Sequence, residues 1–307
     1  MEQHDGARGV TRRLAAAPIS WGVCEVPGWG RMLPPERVLA EMAELGIRAT
    51  ELGPIGWLPE DLSGLRAALD GHGLRLVGGF VPLVLHEPSL EATRAEADRI
   101  ARLFAAAGAD VFVAAIVVDP EWSVPRALDD AEWGRLVAHL AEIDALVAGH
   151  GLQLALHPHV GTLVERAAEV ERLLADSDVG WCLDTGHLLI GGVDPADFLR
   201  RHAGRVVHVH LKDVDDAVAA RLRDGELSLM EATQAGMFRP LGQGDAGIDD
   251  VIRLLDGSGY DRWLVLEQDT AITGEEPPVG RGPVLDVKAS IDYLTNLAPA
   301  RERVITR

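Results

Sequence analysis

The feature that most constrains this chain is a regular alternation in which short, nearly continuous apolar runs are separated by longer stretches with apolar residues at three-and-four spacing. Eight runs read as strands: Ala16–Ser20, Ala49–Leu52, Arg75–Phe80, Val111–Ile116, Gln153–His157, Gly180–Asp184, Val206–Leu211 and Trp263–Glu267. Helical patterns such as Pro35–Leu45, Leu90–Ala107, Ala131–His150, Thr162–Ala175 and Asp249–Ser258 lie between them. Strands that alternate with helices pair in parallel, because each helical crossover returns the chain to the same end of the sheet. Runs such as VFVAAIVV and RVVHVHL are apolar on both faces, as strands covered from both sides are. Two near-identical hexads, GHGLRL at Gly71–Leu76 and GHGLQL at Gly149–Leu154, read as helix C-cap glycines leading straight into the next strand. Eight such units predict an α/β fold with one domain, a (β/α)8 TIM barrel over residues 15–297. Residues 1–14 read as a polar N-terminal extension, 298–307 as a C-terminal tail, and about 214–245 as a long loop or insertion over the barrel mouth.

In such a barrel the active site is built at the C-terminal ends of the strands, so the ionisable residues that matter stand where each apolar run stops. The fifth run ends LALHPHVG with His157 and His159, and the sixth ends WCLDTGH with Asp184 and His187. The seventh, VVHVHLKD, carries His208, His210, Lys212 and Asp213; the eighth ends LVLEQD with Glu267 and Asp269. Four consecutive strands therefore deliver imidazoles and carboxylates to one rim, the composition of a divalent-metal site of mixed N/O ligation. Period-two alternation puts His208 one layer deeper than His210, where a structural role suits it. Asp213 and Asp269 lie just past strand ends and read as loop caps or as partners that orient a ligand imidazole. Neither GGVDP at Gly191–Pro195 nor PLGQGD at Pro240–Asp245 matches a phosphate loop, which needs its lysine.

Composition narrows the partners. Lys+Arg 29 against Asp+Glu 48 gives a net charge of -19, so long-range repulsion argues against nucleic acid or an anionic membrane surface. Two cysteines are too few to staple a chain of this size, and the N-terminal stretch lacks the apolar core of a secretion signal. A cytoplasmic protein is expected.

Several segments together carry a resemblance: APISWGVCEVPGWG at Ala17–Gly30, TELGPIGWLPED at Thr50–Asp61, HPHVGT at His157–Thr162, LDTGH at Leu183–His187, HVHLKDV at His208–Val214, and PLGQGD with YDRWLVLEQD. Over about residues 15–296 the chain resembles the sugar-phosphate isomerase/epimerase superfamily of xylose-isomerase-like TIM barrels, and within it the inosose dehydratase branch. The resemblance implies one divalent cation, manganese or cobalt, held by a Glu, an Asp, a His and a Glu from strands five to eight. By that correspondence the Asp falls on Asp184, the His on His210 and the last Glu on Glu267. The first Glu falls on His157, a departure that removes one carboxylate of the acid/base pair used by ketose epimerases and favours a one-way elimination.

The expected chemistry follows. A cation that chelates a ketone and its neighbouring hydroxyl acidifies the α-proton, a base removes it, and an acid protonates the departing β-hydroxyl. Glu267 is the first candidate for the base, with His159 and His187 as rivals. Lys212 is the candidate to hold the enolate oxygen or donate a proton, against the alternative of a rim salt bridge with Asp213 or Glu51. Glu51 could bond substrate hydroxyls and Trp21 could stack on a polyol ring, unless both simply pack at the mouth. The resemblance makes His187 a ligand for a substrate hydroxyl. The expected partner is a small polyol ketone such as 2-keto-myo-inositol, with a homo-oligomer left open. The rival readings are an isomerase or epimerase of a keto-cyclitol, ketose or keto-glycoside through the same enediolate, and a non-catalytic binding protein.

Overall fold

The computed structural model describes residues 13–24 and 26–297; most of the expected N-terminal extension and the whole expected tail lie outside them. Eight staves make the barrel. They are β1 (Leu14–Ala16), β2 (Ala49–Glu51), a third stave split into β3 (Arg75–Gly78) and β4 (Phe80–Leu83), then β5 (Val111–Ile116), β6 (Gln153–Leu156), β7 (Gly180–Asp184), β8 (Val206–Leu211) and β11 (Leu264–Leu266). Two short strands, β9 (Asp213–Val214) and β10 (Phe238–Arg239), pair antiparallel outside the barrel. Hydrogen bonding runs in the order β3-β2-β1-β11-β8-β7-β6-β5-β4, with each of these pairings parallel. Because β3 and β4 are consecutive in the chain, continuity through Gly79 joins the two ends of the sheet into a ring. The amides of Asp110 and Val113 donate to the carbonyls of Val77 and Gly79, both at 3.1 Å, and complete the seam.

That seam has no room for a side chain. A Cβ at Gly78 would lie 2.2 Å from the Val111 carbonyl oxygen, a backbone atom that cannot swing away. Gly78→Ala is therefore expected to destabilise the protein by about 1–3 kcal/mol or more, the range for forced overpacking, read as a lowered urea midpoint.

The staves alternate with α1 (Pro35–Glu44), α2 (Leu62–Asp70), α3 (Glu91–Ala107), α4 (Asp130–Gly149), α5 (Ala167–Asp176), α6 (Thr185–Ile190), α7 (Pro195–His202), α10 (Ile248–Ser258) and α11 (Pro283–Asn296). Three expected strands, those of β5, β7 and β8, match to the residue. The first is displaced: Pro18 fixes φ and opens a 3-10 turn over Pro18–Trp21, so the strand is Leu14–Ala16 rather than Ala16–Ser20. In the two hexads the left-handed residue is the second glycine, Gly73 at φ 66° and Gly151 at φ 78°, not the first. The expected helix at Thr162–Ala175 starts later, at Ala167, because Thr162 spends its hydroxyl on the His159 and Val164 carbonyls in a tight turn.

Between Asp213 and Asp245 the expected long loop is an insertion with structure of its own. It holds α8 (Asp216–Arg223) and α9 (Leu229–Gln234), closed at its base by the β9–β10 pair. Its apolar residues Val214, Ala219, Ala232, Met237 and Phe238 form a small core that rests on Val160 and Ile190 of the barrel rim. Asp213 caps the segment as the sequence predicts: its two carboxylate oxygens accept from the amides of Val214, Gly242, Gly244 and Ala246 at 2.8–3.0 Å. Among the described residues no helix is long and apolar enough to cross a membrane.

Strand parity divides the side chains. Leu14, Ala16, Leu154, Leu156, Leu183, Val209, Leu211, Leu264 and Leu266 join the core beneath the helices. Those of opposite parity enter the barrel, where Ala15, Ala17, Ala49, Val77 and Val265 make one packed cluster and Val111, Val113, Ala155 and Cys182 another. Following the inward parity toward the C-terminal ends leads to Glu51, His157, Asp184, His208, His210, Lys212 and Glu267. The apolar filling stops where the ionisable residues begin.

Candidate active site

The four residues read as a metal set from strand ends converge. One donor atom from each of His157, Asp184, His210 and Glu267 lies within 4.8 Å of the others. His210 Nδ1 is 3.1 Å from His157 Nε2 and 3.6 Å from Asp184 Oδ2, and His157 Nε2 is 3.3 Å from that same oxygen. Two donors each 2.0–2.2 Å from a shared ion at 90–110° stand about 3.0–3.5 Å apart, so this spacing fits a single cation. Glu267 Oε2 is buried and lies against His210 Nδ1. Lone pairs gathered this closely need a positive charge among them, and a mixed N/O set suits a divalent ion. Cys182 also lies near His157 and His210, but burial pushes its thiol up to about 11, which makes it a poor ligand.

Lys212 is the centre of the second group. Its side chain is fully buried, and Nζ donates to Asp269 Oδ1 at 2.7 Å and to His187 Nε2 at 2.9 Å. Asp184 Oδ2 and Glu267 Oε1 each lie 3.6 Å away. Burial alone would push the ammonium down, but Asp184, Asp269 and Glu267 outweigh it and hold the group above its ordinary value. The stem can enter because of the glycine in D-T-G-H: a Cβ at Gly186 would fall 2.6 Å from Lys212 Cγ. The rim salt bridge with Asp213 or Glu51 is thus replaced by a buried bond to Asp269, and Asp269 serves the lysine rather than a ligand imidazole. Burial raises the Asp269 carboxyl to about 6 despite the lysine beside it.

Both rival histidines are neutral rings. His159 is lowered to about 3, by burial first and then by His157 and Lys212; its Nδ1 donates to the Val160 carbonyl at 2.6 Å and leaves Nε2 as an acceptor. His187 is pushed well below its usual value by burial, His159 and Lys212. The two rings lie 3.9 Å apart, centroid to centroid.

Two sequence expectations need correction. Trp21 does not face the mouth: it is wholly buried in the core, and its indole N–H donates to Glu41 Oε2 at 2.9 Å. Glu51 is buried at 3% exposure, and its Oε1 accepts from His208 Nε2 at 2.7 Å and from His210 Nε2 at 2.8 Å, so it stands behind His210 instead of meeting a substrate hydroxyl. Burial would raise Glu51, yet the two imidazoles hold it well below the carboxylate range.

The sequence reading missed an aromatic wall. Phe80 stacks on Trp122 at 5.9 Å, and both rings approach His159, at 5.4 and 5.9 Å. Trp122 is the one non-glycine residue with positive φ among the described residues, at 58°, a conformation that surrounding contacts must hold in place. From the insertion, Phe238 puts its ring 5.1 Å from Lys212 Nζ and edge-on to His187. The break after the glycine pair in VGGFVPL pointed to Phe80; no periodicity marked Trp122 or Phe238.

With this geometry in view, comparison with known proteins decides the family. Residues 39–297 match the xylose isomerase-like TIM barrel family. The chain is an enzyme of that family. It is 32% identical over 305 residues to the inosose dehydratase of Geobacillus kaustophilus strain HTA426, covering 93% of this chain and 94% of the relative. Among solved structures, the probable 3-DHS dehydratase AsbF of Bacillus anthracis superimposes with a TM-score of 0.68 at 17% identity, over 92% of this chain and 99% of that one. An L-ribulose 3-epimerase gives 0.66 at 17% identity, over 92% and 93%. At these identities the two likenesses show a shared barrel fold.

Proposed function

We propose that this family member is a metal-dependent hydro-lyase that removes water from a keto-cyclitol such as 2-keto-myo-inositol. The observation that carries the reading is the pairing of one carboxylate base with one ammonium: Glu267 sets one oxygen against His210 Nδ1, and its other oxygen lies 3.6 Å from Lys212. Elimination needs one base and one acid, whereas two-base epimerisation needs a second carboxylate where this chain has His157. The relative named inosose dehydratase supports the same substrate class.

A divalent cation, manganese or cobalt, held by His157, Asp184, His210 and Glu267 would polarise the ketone and acidify its α-proton. Of the four donors only Glu267 keeps appreciable accessible surface, 11% against 0–1% for the others, so it is the one that reaches substrate. Glu267 takes the α-proton as the C–H bond breaks. Lys212 is the cationic donor facing it and supplies a proton to the departing β-hydroxyl as that C–O bond breaks. Asp269, at 2.7 Å and with its carboxyl raised to about 6, is placed to return a proton to the lysine. The neutral Nε2 of His159 accepts from a substrate hydroxyl, and the wall of Phe80 and Trp122 excludes water beside it. The enol left behind tautomerises to a 1,2-diketone.

Incubating the Mn2+-loaded protein with 2-keto-myo-inositol in deuterated water tests this. The expected product lacks one water by mass and absorbs as a diketone. An isomer of unchanged composition, carrying one solvent deuterium, would instead establish the epimerase reading.

A further inference from the structure

We propose that Glu51 is a positioning residue: it fixes the tautomer and orientation of His210 so that Nδ1, not Nε2, is presented to the cation. This rests on the reading of His157, Asp184, His210 and Glu267 as one donor set. A carboxylate can only accept, so the 2.8 Å contact makes His210 Nε2 the protonated nitrogen. When the ring gives up its other proton to bind a cation, the lone pair is therefore on Nδ1, which faces His157, Asp184 and Glu267. His208 donates to the same Glu51 oxygen from 2.7 Å and holds that oxygen against rotation. The two imidazoles meet edge to face, with centroids 5.0 Å apart, so the carboxylate bridges them across the barrel interior.

The register of β2 against β3 slips between Thr50 and Glu51, where Thr50 pairs with Leu76 but Glu51 with Gly78. The extra residue of that slip, Val77, lies on β3, and Glu51 keeps the inward parity of Ala49 on its own strand; the Thr50 hydroxyl donates to the Glu51 carbonyl at 2.8 Å. A carboxylate behind a metal-bound imidazole also raises the basicity of that ring.

The test measures Mn2+ affinity of metal-stripped wild type, Glu51→Gln and His208→Gln by competition with a chelator. Glu51→Gln is expected to bind Mn2+ about 10–100-fold more weakly, while His208→Gln, which retains an N–H donor toward Glu51, stays within about threefold of wild type. Should Glu51→Gln fail to fold, nitrogen-15 NMR of the Zn2+-loaded wild type reads the tautomer directly: the expected signal for His210 is a protonated Nε2 and an unprotonated Nδ1. A protonated Nδ1, or unchanged Mn2+ affinity in folded Glu51→Gln, overturns the proposal while leaving the donor set intact. A wild type that binds no Mn2+ overturns both.

Discussion

Glu267→Gln is expected to lower kcat by about 10²–10⁴, equivalent to roughly 3–5 kcal/mol of transition-state stabilisation, while leaving the fold unchanged. The amide can offer an oxygen to a cation, more weakly than a carboxylate, but it cannot accept the α-proton. The measurement is kcat together with metal content. A Glu267→Gln enzyme with full metal and undiminished kcat would transfer the base to His159, whose Nε2 is already an acceptor. In the folded protein His210 and Lys212 outweigh burial and hold the Glu267 carboxyl below its ordinary value, so the base is ionised at neutral pH before substrate arrives.

Lys212→Met is expected to act on two quantities together. Removing a preorganised donor costs about 10²–10³ in kcat, and stripping the ammonium from between Asp184, Glu267 and Asp269 leaves buried negative charge uncompensated, a loss of about 3–5 kcal/mol in stability. A lysine in a rim salt bridge would change stability by under about 1 kcal/mol and leave turnover near normal. Urea unfolding and steady-state kinetics on the same variant separate the two descriptions. Lys212→Arg should recover charge but not rate, since a planar guanidinium offers its donors in a fixed fork and cannot reproduce the point contacts that Nζ makes to Asp269 and His187.

How far the sequence could be read depended on whether a property repeats along the chain. Parity is periodic, so His157, Asp184, His210, Lys212 and Glu267 could be assigned to one rim from strand ends alone, and the structure gathers them. Pro18 and the paired glycines of the hexads act through single dihedral angles, and there the assignments moved by two to four residues. Glu51 and Trp21 failed for a different reason: each stands near a strand end, where a residue can face the mouth or fold back. The choice was made by partners distant in sequence, His208 and His210 for one and Glu41 for the other. Phe238 was invisible because its approach to Lys212 depends on how the insertion folds back, not on the strand that precedes it.

The insertion leaves the barrel at Val214 and returns at Phe238, two residues that pair with each other, while Asp213 fastens its base through four backbone amides. The apolar residues between these points gather in a small core of their own that rests on Val160 and Ile190 of the rim. Residues 215–237 therefore lie between two fixed joints outside the ladder bonds of the ring, and they act on the site through Phe238, the joint residue beside Lys212. The placing of Phe238 beside Lys212 and the closing of the ring thus rest on different sets of backbone bonds, so the insertion can change in length or sequence while the eight staves keep theirs.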